Sequence, residues 1–184
     1  MIVSVSDKNF HIEDADKDFQ YQLNLTHKLD LLKSEFDQNV INEIVLWKVN
    51  RYVEMSKQSL DLLNLIQPNS KVIDIELTKR VILSLLNTKG IQLPMASTIL
   101  RFRNPCIYQI IDQRVFRLLY NDRTLKVKSV NNKKNNEEQI DLYLNYLNDL
   151  QKVCCDLDIP FESSDRILYM ADKRVNKNSK LLNY

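Results

Sequence analysis

Glycine and proline are scarce in this chain, which contains one glycine and four prolines among 184 residues. Tight turns between β-strands depend on glycine, because they need positive φ angles that other residues adopt at a cost. The scarcity therefore favours helices joined by polar loops and predicts an all-α fold. The lone glycine, Gly90, marks a position where the chain needs that conformational freedom.

Cysteine motifs and long apolar runs are also lacking. The three cysteines form no CxxC pair and no cluster with the two histidines, so neither a zinc site nor an iron–sulfur cluster is predicted. No apolar run approaches the roughly 20 residues of a membrane span, and the first residues do not have the pattern of a signal peptide. We therefore expect a cytoplasmic protein with reduced thiols, no metal and no membrane contact.

The length and the 44% hydrophobic content suffice for one core, so a single helical domain over residues 1–184 is predicted. Its charge is unevenly distributed. Residues 1–37 carry a net charge of −4, and residues 101–134 carry one of +7. A basic block of this kind is typical of a surface that binds a polyanion. A solvated lysine-rich loop is the alternative interpretation.

Hydrophobic residues recur at helical spacing along most of the chain. The predicted helices cover residues 19–36, 40–56, 57–66, 75–87, 94–102, 112–119, 137–156 and 163–176. The first 18 residues are predicted to form an edge strand or a loose arm. Residues 122–136 are polar, basic and rich in asparagine, and a mobile loop is predicted there.

The segment 87–120 has a distinctive arrangement. One helix ends at Gly90, where glycine is a typical C-cap, and Pro94 lies in the first turn of the next helix, where its missing N–H costs nothing. An apolar connector then leads to Asp112 at the start of a third helix. Aspartate is a favoured N-cap, so a purely structural role is one interpretation of this residue.

This arrangement resembles the core motif of the helix-hairpin-helix DNA glycosylases, the superfamily of endonuclease III and 8-oxoguanine DNA glycosylase. Their pattern reads LPGVGxKTAxxxL and continues, after about a dozen residues, with VDxHVxR. Gly90 falls at the first hairpin glycine and Asp112 at the catalytic aspartate. The matching positions are Gly90, Ile91, Ala96, Leu100, Asp112, Val115 and Arg117. A plain packing corner between two helices is the alternative for the turn itself.

Two positions depart from the family pattern. Gln92 occupies the second hairpin glycine, and Pro94 occupies the lysine that forms a Schiff base in bifunctional members. Proline cannot act as that nucleophile. The resemblance therefore implies a monofunctional N-glycosylase that leaves an abasic site without cutting the strand. The family's iron–sulfur loop is missing as well, so the resemblance implies no cofactor. A monovalent cation, which related hairpins bind, is the exception that it allows.

The resemblance implies duplex DNA as the partner of a monomeric protein. A helix N-terminus and the hairpin N–H groups point the same way, which creates a site for a DNA phosphate. The carboxylate of Asp112 would accept N–H bonds, stay ionised, and stabilise the cation that develops on the sugar. The predicted DNA-binding residues are Lys89, Gly90, Ile91, Gln92, Arg101, Arg103, Lys126 and Lys128.

The helix over residues 44–55 is a second candidate for the site. Trp47 and Tyr52 would stack on a base or wedge the duplex, and Lys48 and Arg51 would reach phosphates or base edges. The alternative places Trp47 in the core and the two cations on a solvated surface.

Two further hypotheses stay open. A non-catalytic DNA-binding or protein-interaction module on the same scaffold is favoured by Gln92, Pro94 and the short chain, whereas the spacing of Asp112 favours the enzyme. A helical partner-binding protein of a mobile element or defence system, unrelated to DNA, is the third.

Overall fold

The secondary structure is helical throughout the described part of the chain. The computed structural model describes residues 3–19, 23–49, 53, 55–121, 124–128 and 130–181, and no β-strand occurs in these ranges, which confirms the all-α class. The α-helices are α1 (Leu23–Leu31), α2 (Gln38–Val49), α3 (Lys57–Asn64), α4 (Ile75–Leu86), α5 (Leu93–Arg103), α6 (Gln113–Leu119), α7 (Lys133–Asp156) and α8 (Ser164–Val175). Two short 3₁₀ helices cover Asp14–Lys17 and Phe161–Ser163.

Local polar residues determine where several helices begin. The side chains of Asp74 and Asp112 each accept a backbone N–H at 2.9 Å, from the third residue of α4 and α6 respectively. Asn132 does the same at the start of α7, again at 2.9 Å. Each bond satisfies a donor that the first helical turn leaves without a partner.

Helix α5 lies at the centre of the fold and packs against α2, α4 and α7. Ten of its eleven residues are buried, so it has no solvent-facing side. Helix α7 contributes two fully buried tyrosines, Tyr143 and Tyr146. Such a helix derives its stability from packing on all sides.

Residues 3–18, the part of the first 18 residues that the structure describes, form neither the predicted edge strand nor a loose arm. Asp16 is 2% exposed and forms an ion pair with Arg174 of α8 at 2.8 Å. The side chain of Asn176 exchanges two hydrogen bonds with the backbone of Val3, at 2.7 and 2.8 Å. The arm is therefore attached to α8 by polar groups that lie more than 150 residues away along the chain, which local sequence patterns do not indicate.

The predicted loop over residues 122–136 is also shorter than expected, because α7 begins at Lys133. Within the described part of the loop, Leu125 is 1% exposed. Its backbone exchanges two hydrogen bonds with the side chain of Gln113, at 2.9 and 3.0 Å. This segment is thereby attached to the first residue of α6, next to Asp112.

Among the described residues, no helix is both long enough and apolar enough to cross a bilayer.

Candidate functional site

A cleft of about 790 Å³ opens between the turn that joins α4 to α5 and the start of α6. The end of α2 and Tyr169 of α8 complete its walls. Within the part of the chain that the structure describes, its charged lining residues are Lys48, Lys89, Asp112 and Arg114. Three cations against one carboxylate make the cleft attractive to an anion.

The turn between α4 and α5 is tight. The N–H of Ile91 donates to the carbonyl of Thr88 at 3.1 Å, and Gly90 between them has a φ of +89°. A Cβ atom at Gly90 would make only an ordinary van der Waals contact, since the nearest atom, Cγ2 of Val53, is 3.9 Å from its ideal position. The backbone angle, rather than crowding, is therefore what requires glycine here. The side chain of Ile91 is buried and anchors the turn, while Gln92 is exposed.

The first turn of α5 presents unpaired donors beside this turn. The N-cap Gln92 makes no side-chain capping bond, and the first helical bond runs from Ala96 to the carbonyl of Gln92. The N–H groups of Leu93 and Met95 consequently have no partner within the helix. Together with the partial positive charge of the helix end, they favour a negatively charged group in this part of the cleft.

Asp112 lies across the cleft from this turn. One carboxylate oxygen accepts the N–H of Val115 at 2.9 Å, as the N-cap interpretation predicted. The connector before it is held by α7, where Tyr143 and Tyr146 donate their hydroxyl groups to the carbonyls of Gln109 and Ile110 at 2.9 and 2.7 Å. These bonds satisfy carbonyls inside the core and place the Asp112 carboxylate in the wall of the cleft.

Burial raises the pKa of Asp112, and the neighbouring carboxylate of Asp165 acts in the same direction. The charge of Lys48 and the backbone N–H groups of Val115 and Arg114 oppose these effects without cancelling them. We expected the N–H bonds to keep the carboxylate readily ionised. The N–H bonds do favour the ionised form, but desolvation outweighs them in the direction of the pKa shift.

A smaller cavity of about 160 Å³ adjoins the cleft and shares Lys48, Asp112 and Tyr169 with it. Its aromatic walls are Phe19, Trp47 and Tyr169. The ring centroids of Phe19 lie 6.4 Å from those of both Trp47 and Tyr169. Aromatic walls combined with carboxylates suit a flat ligand that carries polar groups on its edge.

Of the four candidates in the segment 44–55, the structure describes two, and they lie in different environments. Trp47 is 4% exposed, its indole N–H donates to Thr26 at 2.6 Å, and its ring packs edge-on against Phe102 at 5.3 Å. The hypothesis that Trp47 wedges a duplex is wrong, because the ring is fixed in the core and reaches only the wall of the small cavity. Lys48 is half-buried and lines both cavities. Arg51 and Tyr52 lie outside the described residues.

Arg101 and Arg103 do not belong to a DNA-binding surface, contrary to the sequence prediction. They are 3% and 4% exposed. Arg103 donates to the backbone carbonyls of Ser34, Asn64 and Ile66 at 2.8 to 3.0 Å. Arg101 pairs with Asp30 and donates to the carbonyl of Glu162. Most of their donors bind other groups of the chain itself, and composition gives no sign of this.

Lys126 and Lys128 are exposed, but the described lining of the cleft does not include them. Lys128 pairs with Glu138 at 3.2 Å. Asn131, further along the same segment, lines the cleft and donates to the carbonyl of Leu86 at 3.3 Å. The basic block is therefore divided between the core, the cleft and an outer surface.

Helix α8 contributes residues to the site that sequence reasoning missed. Asp165 and Tyr169 line the small cavity. Asp172 pairs at 2.9 Å with Arg114, which lines the larger cleft. The available signal was their spacing of four and three residues, which places all three on one face of a helix. Asp165 is 4% exposed, although an aspartate near the start of a helix is usually solvated.

Among the residues that the structure describes, no group of three or more His, Cys, Asp or Glu is arranged to hold a metal ion. Comparisons with protein-family models, curated proteins and solved structures gave no match.

Proposed function

We propose that this chain is a monofunctional DNA N-glycosylase of the helix-hairpin-helix kind, which removes a damaged or modified base from duplex DNA. The observation that carries the proposal is that Asp112 and the exposed Gly90 turn face the same cationic cleft. The resemblance at the sequence level assigns Asp112 to catalysis and the Gly90 turn to DNA binding. Their common cleft supports both assignments at once.

The DNA backbone would bind along the Gly90 turn. Lys89 is exposed there, and the first turn of α5 adds N–H donors that suit a phosphate oxygen. Arg114 lies on the opposite wall, where Asp172 and the ring of Tyr169 fix its guanidinium. A phosphate on each side of Asp112 would hold the sugar of one nucleotide against the carboxylate.

The small cavity would receive the base of that nucleotide after it leaves the helical stack. Breaking the bond between C1′ and the base nitrogen leaves positive charge on the sugar, which the Asp112 carboxylate would stabilise. Water then adds its oxygen to C1′ and gives a proton to Asp112, which releases it to solvent, while the departing base nitrogen takes up one proton from solvent. A raised pKa makes Asp112 a better acceptor for that proton.

The chemistry is expected to stop at the abasic site. Pro94 occupies the place of the Schiff-base lysine at the start of α5 and offers no amine. Strand breaks should therefore appear only when the abasic product is treated with hot alkali.

Base release from defined duplexes tests the proposal. Duplexes carrying 8-oxoguanine, uracil, alkylated purines or adenine mispairs are incubated with the protein, and half of each reaction is treated with hot alkali. We expect alkali-dependent cleavage of one substrate class and no covalent complex after borohydride treatment. Asp112→Asn should lower the rate about 10²–10³-fold and leave duplex binding intact, because it removes the charge and keeps the shape.

Asp74→Asn is the matched control, since Asp74 caps α4 with the same 2.9 Å bond but lies outside the described lining of the cleft. Trapping by borohydride would refute the monofunctional mechanism. Duplex binding without release of any base would instead support the non-catalytic module.

A further inference from the structure

Asp165 lines the small cavity, and one oxygen of its carboxylate has no hydrogen-bond partner among the described residues. Asp165 is 4% exposed, and its Oδ2 accepts no hydrogen bond among the described residues. Its other oxygen, Oδ1, accepts the backbone N–H of Arg166 at 2.8 Å. Buried acceptors of this kind are rare in folded proteins, because leaving one unpaired costs free energy.

The cation nearest to Asp165 Oδ2 is Arg101, which pairs with the carboxylate but donates no hydrogen bond to this oxygen. The Nε of Arg101 lies 3.7 Å from Asp165 Oδ2, too far for a hydrogen bond, and it too is without a partner. The remaining donors of Arg101 go to Asp30 and to the carbonyl of Glu162. The ion pair therefore leaves Oδ2 without a hydrogen bond, and a ligand in the cavity could supply one.

We propose that Asp165 is a specificity-determining residue, whose Oδ2 accepts a hydrogen bond from an N–H or amino group at the edge of a base in the small cavity. The inference rests on the proposed function for the identity of the ligand as a base, but its evidence is the unpaired oxygen in an aromatic-walled cavity. A base edge with adjacent donors, as in guanine, fits this acceptor. A ring without edge donors leaves the buried carboxylate unpaired and is rejected.

Binding of free rings tests the inference without requiring catalysis. Trp47 is the only tryptophan of the chain and lines the cavity, so its fluorescence reports on occupancy. The probes are 9-methylguanine, which carries N–H and amino donors, and 9-methylpurine, which carries none at its edge. We expect 9-methylguanine to bind the wild-type protein at least about tenfold more tightly.

Asp165→Asn should remove most of this difference, because a neutral amide accepts more weakly and its NH₂ repels a donor edge. The matched control is Asp156→Asn, an equal loss of charge at an exposed position of α7. Circular dichroism shows whether both variants are folded. If Asp165→Asn does not fold, the selectivity of the wild-type protein decides.

Equal affinity for the two rings, binding of neither ring, or unchanged selectivity in a folded Asp165→Asn variant would overturn the inference. Selective binding of 9-methylguanine without base release from any duplex would sustain it and count against the glycosylase alone.

Discussion

Within the cleft, the Asp112 carboxyl group combines a stabilising bond with an unfavourable environment. It caps α6, yet burial raises its pKa, so its ionised form is less stable in the folded chain than in water. At neutral pH the desolvation of this charge therefore costs stability, which the capping bond offsets in part. Such costs are typical of functional sites, where chemistry rather than stability determines the residue.

Asp112→Asn should accordingly raise the free energy of unfolding at pH 7. Asparagine caps a helix about as well as aspartate does and carries no charge to desolvate. For a carboxyl group whose folded pKa is raised, the cost is present above the folded pKa and vanishes below the unfolded pKa. The gain in the melting temperature of the variant should thus disappear as the pH is lowered to about 3.

Asp74→Asn serves again as the control, because Asp74 caps α4 from an exposed position. A variant at Asp112 that is less stable than the wild type at pH 7 would contradict the assigned burial cost.

Gly90 is the second position where a single residue decides local structure. Gly90→Ala should destabilise the fold by about 1–2 kcal/mol, because an L-residue is strained at a φ of +89°. The Cβ atom would make only an ordinary contact with Val53 at 3.9 Å, so crowding adds little to this cost. Urea unfolding measures the change. Gln92→Ala in the same turn, at a φ of −108° and without a capping bond, should change stability by less than about 0.5 kcal/mol.

At the scale of elements, α8 connects the cleft to the rest of the fold. Its Asp172 is fully buried and accepts from Arg117 at 2.5 and 2.7 Å and from Arg114 at 2.9 Å. Both arginines belong to α6, the helix that Asp112 begins. One buried carboxylate of α8 therefore helps to fix the orientation of α6.

Asp172→Ala should destabilise the protein by about 3–5 kcal/mol, because it leaves the buried guanidinium of Arg117 without its partner. Thermal or urea unfolding measures the loss. Glu137→Ala removes the acidic member of an exposed pair with Lys133 and should cost less than about 1 kcal/mol. Similar losses in the two variants would show that the α6–α8 pair contributes no more than a surface contact.

Across the whole molecule, some charged residues stabilise the fold by pairing with each other, and others line the cleft. The acidic beginning of the chain is partly neutralised by Arg174, which pairs with both Glu13 and Asp16 at 2.8 Å. Within the basic block, Arg101 and Arg103 are buried in the core. The cations that line the cleft are Lys48, Lys89 and Arg114. Electrostatic attraction for DNA should thus come from fewer cations than the composition indicates.

Affinity for a duplex should fall steeply with salt, and Lys89→Ala should reduce the slope of log K against log salt by about 0.9, the loss of one phosphate contact. Fluorescence anisotropy of a labelled duplex at several salt concentrations measures this slope. Lys152→Ala removes an exposed lysine near the end of α7, outside the described lining of the cleft, and should leave the slope unchanged. Equal slopes for Lys89→Ala and the wild type would place the DNA surface elsewhere.

Local physics made much of the fold predictable. Apolar spacing determined most helix spans to within a few residues, since the face that must be buried repeats along a helix. The capping role of Asp112 and the turn at Gly90 were predictable for the same reason, because N-caps and positive φ angles depend on only a few neighbouring residues.

Only the tertiary structure decided which charged residues face solvent. Arg101 and Asp165 look like surface residues in the sequence, and both are buried because partners from distant elements satisfy or neutralise them. The raised pKa of Asp112 has the same origin, since desolvation depends on what packs around a group and not on its neighbours in the chain. The sequence alone thus determined the helices and the position of the candidate carboxylate. Packing determined its environment and the cavities beside it.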